Sequence, residues 1–199
     1  MSFYGTRTEV RSTGELEVCF DSSTRFPQPA TSQFNHEVTQ LFQKLRDPVY
    51  RYLIVVVGSP AEAEEIAQEA FLEFFRSLQK GQLIHNVRAW IFRVSHNLAI
   101  NHLKARKYVL TMDTAFWDEL CKMCPDPRPT PEQTVLHQEG FRRLRVAMGR
   151  LSPQQRQCLV LRAEGFRYKQ ISEILGISDT NVAKSLHRGL KKMMRVIHE

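Results

Sequence analysis

The chain has 199 residues, enough for one or two domains that each bury a modest core. Its 42% hydrophobic and 25% charged residues suit a folded soluble protein. No apolar run approaches the roughly 20 residues of a membrane span, and Met1 to Ser12 lacks the apolar stretch of a secretory signal, so membrane insertion and export are not expected and the protein is read as cytoplasmic.

The net charge of +7 is unevenly spread: −1 over residues 1–33, +3 over 34–109, −4 over 110–139 and +9 over 140–199. So dense a basic C-terminal segment predicts a polyanionic partner rather than a merely solvated surface. Cys19, Cys121, Cys124 and Cys158 are irregularly spaced and do not read as a disulfide framework.

Residues 1–33 are rich in Ser, Thr and Arg and carry Pro27 and Pro29 near their end, with no sustained period of 3.6 or 2. They read as an N-terminal extension whose composition suits disorder, and no function attaches to them. From Phe34 the pattern turns helical, with Val38, Leu41, Phe42 and Leu45 at three- and four-residue steps. Asp47-Pro48 offers a fresh helical start, after which Val49, Tyr52, Leu53, Val56 and Val57 continue the stripe to a stop at Gly58.

Ser59-Pro60-Ala61-Glu62 is a strong start signal: a capping serine, a proline at the first helical position and a glutamate that completes a capping box. The helix it opens is expected to bury Ile66, Ala67, Ala70, Phe71, Phe74, Phe75 and Leu78 and to display Glu62, Glu65, Glu69 and Glu73. Lys80-Gly81 ends it. Beyond the loop Gln82 to Asn86, a helix to about Lys107 sets Ile91, Val94, Leu98 and Leu103 on one side, with Trp90, Arg93, Asn97, Asn101 and Lys104 adjoining. Four helices would then make a compact all-helical domain over residues 34–109.

Residues 110–139 break the pattern. Pro125, Pro127, Pro129 and Pro131 alternate with polar residues, the composition of an extended, flexible, acidic linker. Its Cys121-Lys122-Met123-Cys124 is half of a tetrahedral zinc set, with only His137 and distant cysteines as further donors. The strand–helix setting of a redox motif is also absent, so no metal or cofactor is expected.

Over 140–199, Phe141, Leu144, Val146, Ala147 and Leu151 mark a helix. Ser152-Pro153-Gln154-Gln155 is a second capping box, and Gly165 closes the helix that carries Cys158, Leu159 and Leu161. Tyr168 to Leu175, Gly176-Ile177 and Ser178 to about Val196 then spell a helix-turn-helix. Ile171 and Ile174 pack its first helix, and Gly176 takes the positive φ of the turn. Ile177, Val182, Leu186 and Leu190 form the buried side of the second helix. Its exposed side offers Thr180, Asn181, Ala183, Lys184, His187, Arg188, Lys191 and Lys192: short polar residues for base edges, then cations for phosphates. The fold class expected is all-α, with two small helical domains on a flexible linker.

These motifs carry a resemblance. Gln170-Ile171-Ser172-Glu173-Ile174-Leu175-Gly176-Ile177-Ser178, followed by Val182 to Lys192, resembles the C-terminal domain of bacterial sigma factors. Ala63-Glu64-Glu65-Ile66-Ala67-Gln68-Glu69-Ala70-Phe71 and Val87-Arg88-Ala89-Trp90-Ile91-Phe92-Arg93-Val94-Ser95-His96-Asn97-Leu98-Ala99-Ile100 resemble region 2 of the extracytoplasmic-function (ECF) group of the sigma-70 family. The likeness covers about 34–107 and 140–196, in the right order.

It implies a sigma factor that binds core RNA polymerase, through its β and β′ subunits, and directs promoter-specific initiation. Glu65, Gln68, Glu69 and Glu73 would dock on the β′ subunit. The helix from Val87 would capture the melted −10 strand, with Asn97 at a flipped base and the loop Gln82 to Asn86 completing the pocket. Arg88, Arg93, Asn101, Lys104, Arg106 and Lys107 would accompany Asn97 on the strand. The final helix would read the −35 duplex in the major groove. One departure bears on −35 preference: the family often has a basic residue where Ala183 stands, and here the cation follows at Lys184. An anti-sigma factor is a further partner common in the group. The rival reading is a stand-alone helix-turn-helix regulator with an N-terminal sensing or dimerisation domain. No nucleotide-binding glycine loop, paired catalytic carboxylates or nucleophile triad appears, so the chain is not read as an enzyme.

Overall fold

A computed structural model describes residues 32–106, 140 and 142–198. Among these residues the chain is helical, with no strand: α1 (Ser32–Val57), α2 (Pro60–Gln79), α3 (Val87–Arg106), α4 (142–149), α5 (Pro153–Ala163), α6 (Tyr168–Leu175) and α7 (Asp179–His198). The all-α expectation holds, with one correction. Asp47-Pro48 does not begin a new helix, and α1 runs through Pro48 without a break. The first group therefore has three helices, not four.

The reason is packing. An interior proline costs about 3 kcal/mol through its missing N–H and its clash with the preceding turn. Leu41, Leu45, Val49, Tyr52 and Val56 follow one another at steps of three and four, and all five are buried. At about 1.5–3 kcal/mol per buried side chain, that stripe outweighs the proline.

Side-chain caps set the starts of α2, α3 and α5. The Ser59 hydroxyl accepts from the Glu62 backbone N–H at 3.5 Å and starts α2. Asn86 starts α3, its side-chain oxygen accepting from the Ala89 N–H at 3.0 Å. Ser152 and Gln155 form a reciprocal capping box at α5, with bonds of 3.3 and 3.0 Å. Helices α1, α2 and α3 pack on one another, and α5, α6 and α7 form a second group around Leu161, Ile171, Ile174, Val182 and Leu186.

The two groups also touch, α1 against α5 and α3 against α6. The buried apolar residues form one connected cluster that runs from Leu41 to Leu186. Helix α3 is thus covered on two sides, which buries Ile91 and Phe92 as well as the polar Ser95 and His96. No described helix is long and apolar enough to cross a membrane.

The turn between α6 and α7 follows its sequence signals. Gly176 adopts φ 65°, in the left-handed region that a Cβ disfavours, and its N–H donates to the Ser172 carbonyl. Ser178 caps α7, its hydroxyl accepting from the Asn181 N–H at 3.3 Å. A second correction concerns Leu190, which is 51% exposed rather than buried. The inward positions are Val182, Leu186, Gly189 and Val196. At Gly189 an added Cβ would lie 3.0 Å from a Leu159 methyl, so the missing side chain lets α5 approach α7 there and turns Leu190 outward.

Candidate nucleic-acid interface

Helix α3 presents one polar stripe. Arg93, Asn97, Asn101 and Lys104 recur at steps of four, four and three, and all are exposed. At about 1.5 Å rise per residue they span about 16 Å of one helix face, the length of several nucleotides. Behind Asn97 the support is rigid. His96 is buried and bonds through Nδ1 to the Tyr52 hydroxyl at 2.8 Å. Burial lowers the His96 pKa to about 4, so near neutrality the imidazole is uncharged, and burial likewise raises that of Tyr52, which keeps its proton. Trp90 is half-buried against Phe74, with ring centroids 5.8 Å apart, and belongs to the packing rather than to the exposed stripe.

The structure separates the remaining α3 candidates. Arg88 points away from the stripe toward α5, where its guanidinium meets both the Glu164 backbone carbonyl and its carboxylate. The Arg106 side chain and Lys107 lie outside the described residues, as does the Cys121–Cys124 pair. In the preceding loop Ile84 is buried, Asn86 serves as the cap, and Leu83 is exposed.

Helix α7 presents a second and broader face. Thr180, Asn181, Lys184, His187, Arg188, Lys191 and Lys192 are all exposed, and Ala183 is half-buried beside them. Four cations with neighbouring short polar groups on a single helix suit a duplex groove, with the N-terminal turn at base edges and the later turns at phosphates. Cys158, in the core beneath, has its pKa raised by burial to about 11, against the opposing pull of a hydrogen bond with Ser185, and is an inert thiol.

The acidic residues form a third surface. Glu65, Gln68 and Glu69 are exposed on α2, and Gln68 donates to Glu64 at 3.3 Å. Glu73 is half-buried and ion-paired with Arg76 at 3.4 Å. Beside them lies a feature that the apolar period does not mark: an apolar groove of about 430 Å³ between α1 and α2, lined by Val38, Phe42, Phe71 and Leu72 among others. Phe71, expected in the core, is instead half-buried and stacks edge-on against Phe42 with centroids 4.8 Å apart. A signal was available, because Leu72 continues the Glu65–Gln68–Glu69 stripe by one helical step and is 55% exposed.

Both helical groups match known families, in chain order. The model described as Sigma-70 region 2 matches residues 41–108, and that described as Sigma-70, region 4 matches residues 141–193, together more than half of the chain. The chain belongs to the sigma-70 family, in its ECF group. This sigma-70 family member is 28% identical over 162 residues to the ECF RNA polymerase sigma factor BldN of Streptomyces coelicolor, covering 79% of this chain and 59% of that protein. It is 29% identical over 155 residues to the ECF RNA polymerase sigma factor SigE of Mycolicibacterium smegmatis, covering 77% and 59%. The chain thus spans about 59% of the length of these two relatives. The sigma factor RpoE, in its co-crystal structure with the anti-sigma factor NepR from Bartonella quintana, has the same fold, with a TM-score of 0.61 over 81% of this chain and 97% of that one at 15% identity.

Proposed function

We propose that this chain is a sigma factor that brings core RNA polymerase to specific promoters and helps to open them, with no catalytic chemistry of its own. The observation that carries the reading is the pair of exposed polar faces, α3 with Asn97 at its centre and the cationic α7, in a chain with both sigma-70 regions in order. The α3 stripe suits a melted strand: Arg93 and Lys104 flank the two asparagines, so cations can hold the backbone while Asn97 hydrogen-bonds a base turned out of the stack. The α7 face suits the −35 duplex, read from Thr180 to Arg188 and held by Lys191 and Lys192.

Docking on the polymerase β′ subunit is assigned to Glu65, Gln68 and Glu69. Exposed carboxylates speed capture of a basic partner, and the neighbouring apolar groove supplies the buried area that charge alone does not. Glu73 takes a smaller part, being paired with Arg76. The working place is the cytoplasm. A partner of the anti-sigma kind, as in the NepR complex of its structural relative, is a further element of this reading.

Run-off transcription with bacterial core polymerase on promoter-rich genomic fragments tests it. Discrete new transcripts that appear only with this protein are expected, and they should be lost in Asn97→Ala and reduced in Glu69→Arg. Specific retardation of duplex DNA by the protein alone, with no polymerase-dependent transcript, would instead establish a stand-alone regulator.

A further inference from the structure

Tyr52 of α1 and His96 of α3 meet inside the first helical group. The Tyr52 hydroxyl and the His96 Nδ1 are 2.8 Å apart, and the two residues are buried, at 0% and 7% exposure. Tyr52 is itself held: its ring lies tilted against Phe92 with centroids 5.5 Å apart. It stands on the unbroken stretch of α1 beyond Pro48. His96 immediately precedes Asn97, so the two side chains leave α3 about 100° apart. Whatever fixes the direction of one fixes the direction of the other.

The apolar neighbours fix it poorly. Seen from the polar stripe, half-buried Val94 and Leu98 lie on one flank of α3 and half-buried Ile100 on the other. Turning the helix would bury more of one flank and expose more of the other, an exchange nearly neutral for a force without direction. The consequence for Asn97 is large. A side chain ends about 5–6 Å from the helix axis, so a turn of about 20° carries its tip about 2 Å. A hydrogen bond tolerates far less, because donor and acceptor must lie within about 2.7–3.2 Å and close to a line.

We propose that the Tyr52–His96 hydrogen bond sets the rotation of α3 about its own axis and thereby aims Asn97 at the captured base. Tyr52 and His96 are positioning residues, shut away from the DNA that they help to read. The inference rests on the sigma-factor reading for the base, and on the helix geometry alone for the rotation.

The chemistry of the pair suits the task. Both groups are uncharged near neutrality, and a buried neutral hydrogen bond adds little net stability over a well-packed apolar pair. What it adds is direction. It forms at one register and breaks at the next, which is the best-attested use of buried polar groups. Ser95, on the same turn, provides the contrast. Its hydroxyl is fully buried with no hydrogen-bond partner among the described residues, so it orients nothing.

The test uses holoenzyme reconstituted with bacterial core polymerase, on a promoter recovered by the run-off experiment. Opening is followed by a fluorescent base in the −10 strand, and initial duplex binding is titrated separately. Tyr52→Phe is expected to slow opening about 5-fold, the scale of one lost hydrogen bond, with duplex binding unchanged. In an Asn97→Ala background the same change should act less than about 2-fold, since nothing remains to be aimed. Tyr52→Phe combined with His96→Leu leaves neither partner orphaned, so its melting temperature should return toward wild type while opening stays slow. Ser95→Ala should leave opening unchanged.

Equal effects of Tyr52→Phe in both Asn97 backgrounds, or opening rates that merely follow melting temperature across the set, overturn the proposal. The free chain decides the rotation separately. Residual dipolar couplings of the α3 amides report how a helix is turned about its axis. They should change in the Tyr52→Phe, His96→Leu double variant and not in Ser95→Ala, and unchanged couplings in the double variant overturn the proposal. If the wild type gives no polymerase-dependent transcript, the sigma reading falls and the couplings alone judge the rotation.

Discussion

The two candidate DNA faces are built in opposite ways. Helix α7 rests on its own group along Val182, Leu186 and Gly189, and its other side is open to water from Thr180 to Lys192. Helix α3 is enclosed: α1 and α2 cover one side, α6 another, and only a narrow strip through Arg93, Asn97, Asn101 and Lys104 is left. A helix clear on one side can lie along a duplex groove and gather many phosphates. A helix held on two sides can offer few contacts but places them rigidly, which is what capture of a single base demands. The difference also sets how each face should fail, because α3 depends on buried polar groups that α7 does not have.

The largest expected effect is acid sensitivity of the α3 side. His96 has a pKa near 4 when folded against an ordinary 6.5, so its neutral form is favoured by the fold. Above pH 6.5 both states are neutral and the full stability is present. As the pH falls toward 4 only the unfolded chain takes up the proton, and about 3 kcal/mol is lost across that window. Denaturant titrations at stepped pH should give this slope, with hydrogen exchange rising in α3 before α7, and His96→Gln should flatten it. Equal acid sensitivity in both helices would remove the contrast.

Next comes Asn97→Ala. A specific base contact worth about 1–3 kcal/mol predicts about a 5- to 150-fold loss of promoter-specific transcript. Affinity for −35 duplex, measured separately, should not change, since Asn97 is remote in sequence from α7 and exposed on another helix. A matching loss in duplex binding would mean that the two faces do not divide the work.

Gly176→Ala should act on the other side of the comparison. Forcing a Cβ into the left-handed region costs about 1 kcal/mol, seen as a lower melting temperature of the α6–α7 group with α3 exchange unaltered. The smallest effect belongs to single cations. Lys191→Ala should lower the salt-dependence slope of duplex binding by about one and weaken all sequences alike. A sequence-selective loss would make Lys191 a base reader rather than a phosphate contact.

How much was legible follows the same division. The α6–turn–α7 unit could be read residue by residue, because a one-sided helix writes its buried face as a period and its turn as a glycine between caps. Leu190 lies one residue away from the inward position its period suggests, since the period does not reveal that Gly189 lets α5 come close. Helix α3 was harder: buried on two sides, it carries apolar residues nearly all round, and its periodicity could not say which cation turned inward. Arg88 therefore read as one of several phosphate contacts, although it faces Glu164. Pro48 misled for a related reason, as local preference argued for a break that the buried stripe of α1 overrides.

By itself the sequence determined the helical class, the capped starts at Ser59 and Ser152, the polar stripe through Asn97 and the cationic face of α7. These depend on neighbours within a turn or two, where side-chain chemistry and helical spacing suffice. Only the tertiary structure decided that α1 is unbroken, that an apolar groove accompanies the acidic face of α2, and that Arg51, Arg88 and Glu164 converge. Those facts depend on which distant helices share a surface, and a contact across 113 residues leaves no period in the chain to read.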